Sequence, residues 1–544
     1  MFRIMKKYFI ILAGLAAAAM VSCTKEFNPE SVSTGKTLTF SVSREVPGGA
    51  TKAALDGTSI VFQAEDAISV LSGTENAKFT TTGSGTTASF SGTASEADQY
   101  LVLSPYDADA TLQSSSVVTI TIPEVQTATP GGVDPKALIS AGIATKESSS
   151  VKLFNAVSLV KVVVPEGLSV RNIQVAGGKG QTIAICGQFT FNAQEESLAL
   201  GVVTGKTATV VTLVPAEGEE FIAPGTYYVA VRPKTTYDAG FTMAYLNAEN
   251  QLCKRVTATA LDIQRSHIVP LGTLNTTDYP AVTGRATLRY ADAAPQFTGL
   301  IKKLAGGAGG FTDKDYTVKK IVFKAHTLYP QDYKGSNNVI SNGPNSDVQI
   351  HAWVKDGVAY VCTEAPIITL YSSSNNLFRD FDALEEVVFN DVNTLPNANF
   401  DYMFRNCTHL KSVDFGNADF SKVIAFTNMF FSLTSLEYIN FGETYTNPSL
   451  KTTLMMYNVS NLKTLKLGPN FAMPNYTDEA DIKRMFDATA QQTSIAAGGD
   501  DEKKCQLYCS QAFYDAVAAD HDDDTDAYVR TYFNKHRFVL HVVE

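Results

Sequence analysis

The chain has 544 residues, 44% of them hydrophobic, with 44 Lys and Arg against 55 Asp and Glu and a net charge of −11. This acidic balance argues against nucleic acid as a partner, because phosphates require a basic surface. The length exceeds what one core holds, so three or four domains are expected. The seven cysteines are too dispersed for a small disulfide framework.

Arg3, Lys6 and Lys7 open the chain, and the 13 uncharged residues from Tyr8 to Met20 follow. A bilayer-spanning helix needs about 20 apolar residues, so this run has the length of a signal-peptide core. Val21-Ser22-Cys23 then sets a small residue before a cysteine. The segment resembles the lipobox of bacterial lipoproteins, with Met20 standing where Leu is usual. The resemblance implies removal of residues 1–22 and acylation of Cys23, with palmitate or similar chains anchoring the protein in the outer membrane. Several chains on one cysteine hold a protein that a single chain holds only weakly. Thr24-Lys25-Glu26 partly resembles the surface-export signal of Bacteroides-type lipoproteins, which implies a surface-exposed location. Removing the three leader cations leaves 41 basic residues against 55 acidic ones, a net charge of −14. Residues 23–35 read as a polar tether.

From Lys36 onward short β-type runs recur: TLTFSV at Thr37–Val42, SIVF at Ser59–Phe62, AISVL at Ala67–Leu71 and VVTITI at Val117–Ile122. Gly, Ser, Thr and Asp separate them, and strands at this spacing predict a β-sandwich over 36–148. A second series, including LVKVVV at Leu159–Val164 and TYYVAV at Thr226–Val231, closes with IVPLGTL at Ile268–Leu274. It predicts a second sandwich over 149–274, followed by a linker at 275–284 (NTTDYPAVTG). The ordered motifs FSVSR at Phe40–Arg44, TKAALDG at Thr51–Gly57, EDAISV at Glu65–Val70, FNAVSLVKV at Phe154–Val162, GTYYVAVRP at Gly225–Pro233 and VPLGTL at Val269–Leu274 resemble fimbrillin-like proteins of Bacteroides-type bacteria. That resemblance implies surface pili or related adhesive structures. It also implies cleavage after an arginine, which removes the first strand and frees a groove for a neighbouring pilin's strand. Arg44 is the positional candidate.

The second half repeats with a period of 26. Its columns are Leu377-Phe378, Met403-Phe404, Met429-Phe430 and Met455-Met456; Phe381, Cys407, Leu433 and Val459; Leu384, Leu410, Leu436 and Leu462; Val387, Val413, Ile439 and Leu465; and Phe389, Phe415, Phe441 and Leu467. Gly416, Gly442 and Gly468 follow, with Asn390 in the first copy. At a 44% apolar background, filling these columns by chance is on the order of 10⁻⁹. The pattern is that of a leucine-rich repeat solenoid over 377–490, with one short strand per repeat. It resembles the BspA-like surface repeats of bacterial lipoproteins. Met485-Phe486 is a candidate fifth, irregular copy. Val318–Phe323 carries the strand signature 66 residues early, and IHAWVKDGVAYVC at Ile350–Cys362 reads as a hairpin around Lys355-Asp356-Gly357. These suit an N-terminal cap over 285–376. Residues 491–544 suit a C-terminal cap, with a helix-like stretch at Ala512–Ala519 and a strand near Phe538.

Chemistry is sparse. The chain lacks G-x-S-x-G, Walker and H-E-x-x-H motifs, so no enzyme activity, catalytic residue, metal or cofactor is expected. Cys407 shares a column with Phe381, Leu433 and Val459 and reads as a small core hydrophobe. Cys505 and Cys509 are close enough in sequence to leave pairing open. The acidic run His521–Asp526 lacks the Gly and distal Glu of an EF-hand loop. His536 and His541 lack the spacing of a zinc helix. The candidate ligand face is the outward side of the repeat strands: Glu386, Ser412, Tyr438 and Thr464 in one row, Val388, Asp414, Asn440 and Lys466 in the next. The expected function is a cell-surface lipoprotein adhesin at a pilus tip or accessory position, binding host or bacterial protein or glycan. The alternative is a structural subunit or spacer without a ligand, and a polysaccharide-acting surface enzyme is a distant third.

Overall fold

The computed structural model describes residues 35–45, 61–178, 183–194, 198–238, 240–257, 259–289, 297–328, 338–341, 343–447, 450–471, 505–518 and 538–543. The signal segment, Cys23, nearly all of the tether, the motif at Thr51–Gly57, Met485-Phe486, the acidic run His521–Asp526 and His536 lie outside these residues. The described chain is mostly β-sheet, with two eight-residue α-helices, Phe297–Leu304 and Gln511–Ala518.

Alternation places Phe40 and Val42 of the strand Lys36–Arg44 inward. They pack with Phe62, Phe79, Phe90 and Tyr100 in a core of their own. The spacing predicts two stacked sheets here, yet the hydrogen bonding runs unbroken around seven strands as a closed barrel. Lys36–Arg44 closes it. On one side it pairs antiparallel with Thr87–Ala94, and on the other parallel with Ser150–Asn155. Closure leaves neither flank of that strand open.

The second core runs from Leu71 to Tyr279 and is enclosed mainly by sheets of three, five and four strands. Two strands that the sequence groups with the first series contribute here. Val117–Ile122 pairs with Cys186–Asn192, and Val125–Thr127 pairs with Val210–Val214. Ser150–Asn155, placed by sequence in the second series, instead completes the barrel. Alternation buries Val118, Ile120 and Ile122 on one face, but it does not say which sheet that face meets. The segment expected as a linker is docked: Tyr279 is buried in the second core, and Val282 N–H donates to the Leu252 carbonyl at 2.7 Å. Turn-forming residues surround these two apolar ones, and the apolar ones decide the path.

The second half builds a nine-stranded sheet in the order Ile350–Lys355, Val358–Thr363, Lys320–Lys324, Glu386–Val388, Ser412–Asp414, Tyr438–Asn440, Thr464–Lys466, Cys505–Cys509 and Phe538–Val542. From Glu386 to Lys466 the strands are parallel, and each residue pairs with the one 26 positions on, as Val387 with Val413 and Ile439 with Leu465. Ile321 pairs with Val387, the early copy at its 66-residue offset. The hairpin forms as expected, with Asp356 and Gly357 both at positive φ, as a tight turn requires. A second parallel ladder, through Ile368–Leu370, Val392–Thr394, Asp419–Phe420 and Tyr445–Thr446, lines another side of each copy.

Between the ladders the columns stack. Phe323, Phe389, Phe415 and Phe441 lie ring on ring at 4.9, 5.1 and 4.8 Å, and Phe378, Phe404 and Phe430 at 5.1 and 5.4 Å. Burying each such side chain stabilises by roughly 1.5–3 kcal/mol, and a single copy cannot do it alone. The glycine column has a steric cause. A Cβ on Gly442 would sit 2.4 Å from the Gly416 carbonyl oxygen, and its φ is +49°. The helix Phe297–Leu304 covers the first copy: Thr298 Oγ1 donates to the Leu377 carbonyl at 2.8 Å, and Lys302 Nζ to the Arg379 carbonyl at 2.9 Å.

Candidate functional site: the outer face of the nine-stranded sheet

In each repeat strand the middle residue points into the core and its two neighbours point out. The predicted face therefore comes together as two continuous rows. Glu386, Ser412, Tyr438 and Thr464 stand in register, as do Val388, Asp414, Asn440 and Lys466. All are half-buried except the exposed Lys466.

The pairing extends both rows beyond the repeats. The second row begins at Trp353, Tyr360 and Val322 and ends at Tyr508 and His541. The first gains Lys320 before Glu386 and Gln506 after Thr464. Nine strands at ~4.8 Å spacing make a face about 38 Å wide. Sequence reasoning missed these flanking residues. The 66-residue offset and the hairpin alternation carry the signal for Lys320, Trp353 and Tyr360. Cys505–Cys509 and Phe538–Val542 stand outside the period, so Gln506, Tyr508 and His541 have no such signal.

Specific contacts order the face. Lys320 pairs with Glu386 at 2.7 Å, and Asn440 Nδ2 donates to Asp414 Oδ1 at 3.1 Å. The Lys466 ammonium lies 5.8 Å from the Tyr438 ring and 5.6 Å from the Tyr508 ring. Tyr508 stacks on His541 at 4.7 Å, and His541 Nε2 meets Gln506 Oε1 at 2.7 Å. At the other end Trp353 and Tyr360 stack at 5.2 Å. Beside the face, Glu385, Lys411, Glu437 and Lys463 alternate in sign down one column, with pairs at 2.6 and 2.8 Å. A hydrogen bond and the charge of Lys411 hold the Glu385 carboxyl below its ordinary range. The sheet offers aromatic faces, cations, carboxylates and amides on a rigid support, which is the equipment of recognition.

The six cysteines among the described residues are buried. Cys407 is fully buried, its Sγ donating to the Phe378 carbonyl at 2.9 Å, and burial pushes its thiol well up. Cys505 and Cys509 are both free and buried. Four residues of strand separate them by about 13 Å, beyond the ~7 Å limit for a disulfide. Burial pushes their thiols up to about 12 and about 11. Among the described residues no cluster of His, Cys, Asp and Glu has a metal-holding arrangement. No helix among them is long and apolar enough to cross a membrane.

Arg44, the positional candidate for cleavage, is the last residue of the first strand. Its guanidinium donates to Ser104 Oγ at 2.5 Å and lies 4.4 Å from the centre of the Phe62 ring. Burial lowers its pKa to about 10 against the opposing charge of Asp66. The next residue is pinned as well. Glu45 N–H donates to the Leu153 carbonyl at 2.8 Å, and its carboxylate takes bonds from Arg265 and from Asn155 N–H. Burial would raise the Glu45 pKa, but those bonds and the charges of Arg265 and Lys152 lower it overall.

No family model matches the chain, and no curated protein matches it. Among solved structures it is similar to a candidate cell adhesion protein from Bacteroides uniformis, with 14% identity, 45% of this chain and 95% of that one covered, and a TM-score of 0.30. A fimbrial protein from Bacteroides ovatus has 11% identity, covers 49% of this chain with 62% of its own length, and gives a TM-score of 0.20. For the tip fimbrial protein from Porphyromonas gingivalis the figures are 9%, 41% and 81%, with a TM-score of 0.21.

Proposed function

We propose that this chain is a cell-surface adhesin of the fimbrillin-like kind, anchored in the outer membrane through lipid on Cys23. It stands at a pilus tip or accessory position and presents a leucine-rich repeat solenoid to host or bacterial surface protein or glycan. The observation that carries the reading is the face itself: two rows of mainly polar, charged and aromatic side chains in register, one across nine strands and one across six. Solenoid faces of this form serve as extended binding surfaces. The absence of enzymatic motifs in the sequence agrees with a binding role. Bacteria displaying a Tyr438→Ala, Asp414→Ala double variant should adhere much less than those displaying the parent chain at equal surface density. Unchanged adhesion would count against this face.

A second reading, a structural subunit joined by strand exchange, is favoured by one observation. Lys36–Arg44 is flanked on both sides by barrel strands, so its removal would leave two unpaired edges for an incoming strand. Purified chain cut after Arg44 should then assemble where uncut chain does not. If cleavage never promotes assembly, strand exchange is wrong.

A further inference from the structure

The row that begins at Trp353 does not begin in open solvent. A cavity of about 190 Å³ lies there, between the outer face of the nine-stranded sheet and the second β unit. Trp353, Tyr360, Lys324 and Lys355 line it from the sheet, and Glu124 and Thr212 from the facing unit. The seam around it is fixed. Lys355 pairs with Glu124 at 3.5 Å, and Gln174 Oε1 accepts from Leu328 N–H at 2.7 Å. Leu328 also packs with Ala176, Ala244, Leu246 and Leu252 of that unit. Both walls are thus set before any ligand arrives, which lowers the ordering cost of binding.

We propose that this cavity binds one acidic sugar unit, the charged residue of a surface glycan. The inference rests on the adhesin reading and names a ligand class for it. The cavity is smaller than the ~300–1,000 Å³ of drug-sized sites, which suits a single ring. Its aromatic pair presents an apolar wall to the carbon–hydrogen face of that ring. Thr212 and the Glu124–Lys355 pair supply partners for hydroxyls. The charge is selective. Glu124 neutralises Lys355, whereas Lys324 is exposed and has no ion-pair partner among the described residues. Among the described residues, one cation of the cavity therefore stays unpaired in a chain whose net charge is −11. A carboxylate on the sugar meets it through a charge-assisted hydrogen bond.

Trp353 is the chain's only tryptophan, so its emission reports on the cavity directly. The full chain is titrated with glucuronate, galacturonate and N-acetylneuraminate, and with glucose and galactose as neutral counterparts, with calorimetry in parallel. At least one acidic sugar should give a saturable emission change with matching heat, and the neutral sugars should bind at least tenfold more weakly. Lys324→Ala, at an exposed position, should keep the fold and weaken the acidic sugar at least tenfold, with Lys324→Arg restoring much of it. No saturable response to any of the three acidic sugars would overturn the proposal. So would equal binding of neutral sugars or an unaltered Lys324→Ala titration. If the Tyr438 and Asp414 variants still lose adhesion in that case, the cavity is wrong and the adhesin reading stands.

Discussion

The two halves of the molecule reach β-structure by different routes. In the ladder from Glu386–Val388 to Thr464–Lys466 each strand pairs with a neighbour 26 residues away, so one period sets its partners and its register. In the barrel, Ser41 pairs with Ser150 and also with Ser89, and no single separation governs both. Alternation there decides which face of a strand is buried, while the identity of its partner depends on the whole fold. The repeat half is a sum of near-identical contacts, and the first half is a set of unlike ones. Mutations should separate them.

The largest effect is expected in the phenylalanine stack. Phe415 lies between Phe389 and Phe441, so Phe415→Ala should cost about 3–5 kcal/mol in chemical denaturation. The loss should fall on the repeat transition and leave the barrel unchanged. In the first half, Gln126 mimics a strand. Its amide donates to the Ala230 carbonyl at 2.8 Å and accepts from Ala230 N–H at 2.9 Å. Gln126→Leu strands two buried backbone groups and should cost at least about 2 kcal/mol, at about 1–3 kcal/mol per unsatisfied group, in the transition of the second core. Gly442→Ala tests the period against sterics and should destabilise the repeats by about 1–3 kcal/mol, the usual cost of a strained backbone conformation. A neutral outcome would mean that the coils can slide apart.

Glu45 sharpens the comparison through pH. Its pKa is lower folded than unfolded, so its contribution is present above the ordinary Glu value of about 4.3 and is lost as pH falls through the folded value. The gap in melting temperature between the parent chain and Glu45→Gln should be full at pH 7 and close in acid. The smallest effect belongs to the exposed charge column. Lys411→Ala should leave the melting temperature within error, because exposed ion pairs contribute little.

Legibility follows the same division. The buried columns, the early strand at Ile321 and the hairpin at Asp356-Gly357 were all readable, because local chemistry and a fixed period determine them. The exchange of Val117–Ile122 and Ser150–Asn155 between units was not, since their patterns suit either core. Tyr279 and Val282 were hidden inside turn-rich sequence. Half of the candidate face was visible as columns. Trp353 carried only the alternation of its hairpin, and Tyr508 and His541 joined only through pairing with strands outside the period.

The central claim is that the outer face of the repeat sheet binds a ligand. The most direct test applies the full chain and its Tyr438→Ala, Asp414→Ala variant to arrays of glycans and extracellular-matrix proteins, with melting curves recorded for both. The account predicts selective binding by the parent chain and at least a tenfold loss in a variant that melts at the same temperature. Equal binding by the two, or no binding by the parent chain to any arrayed ligand, would contradict it.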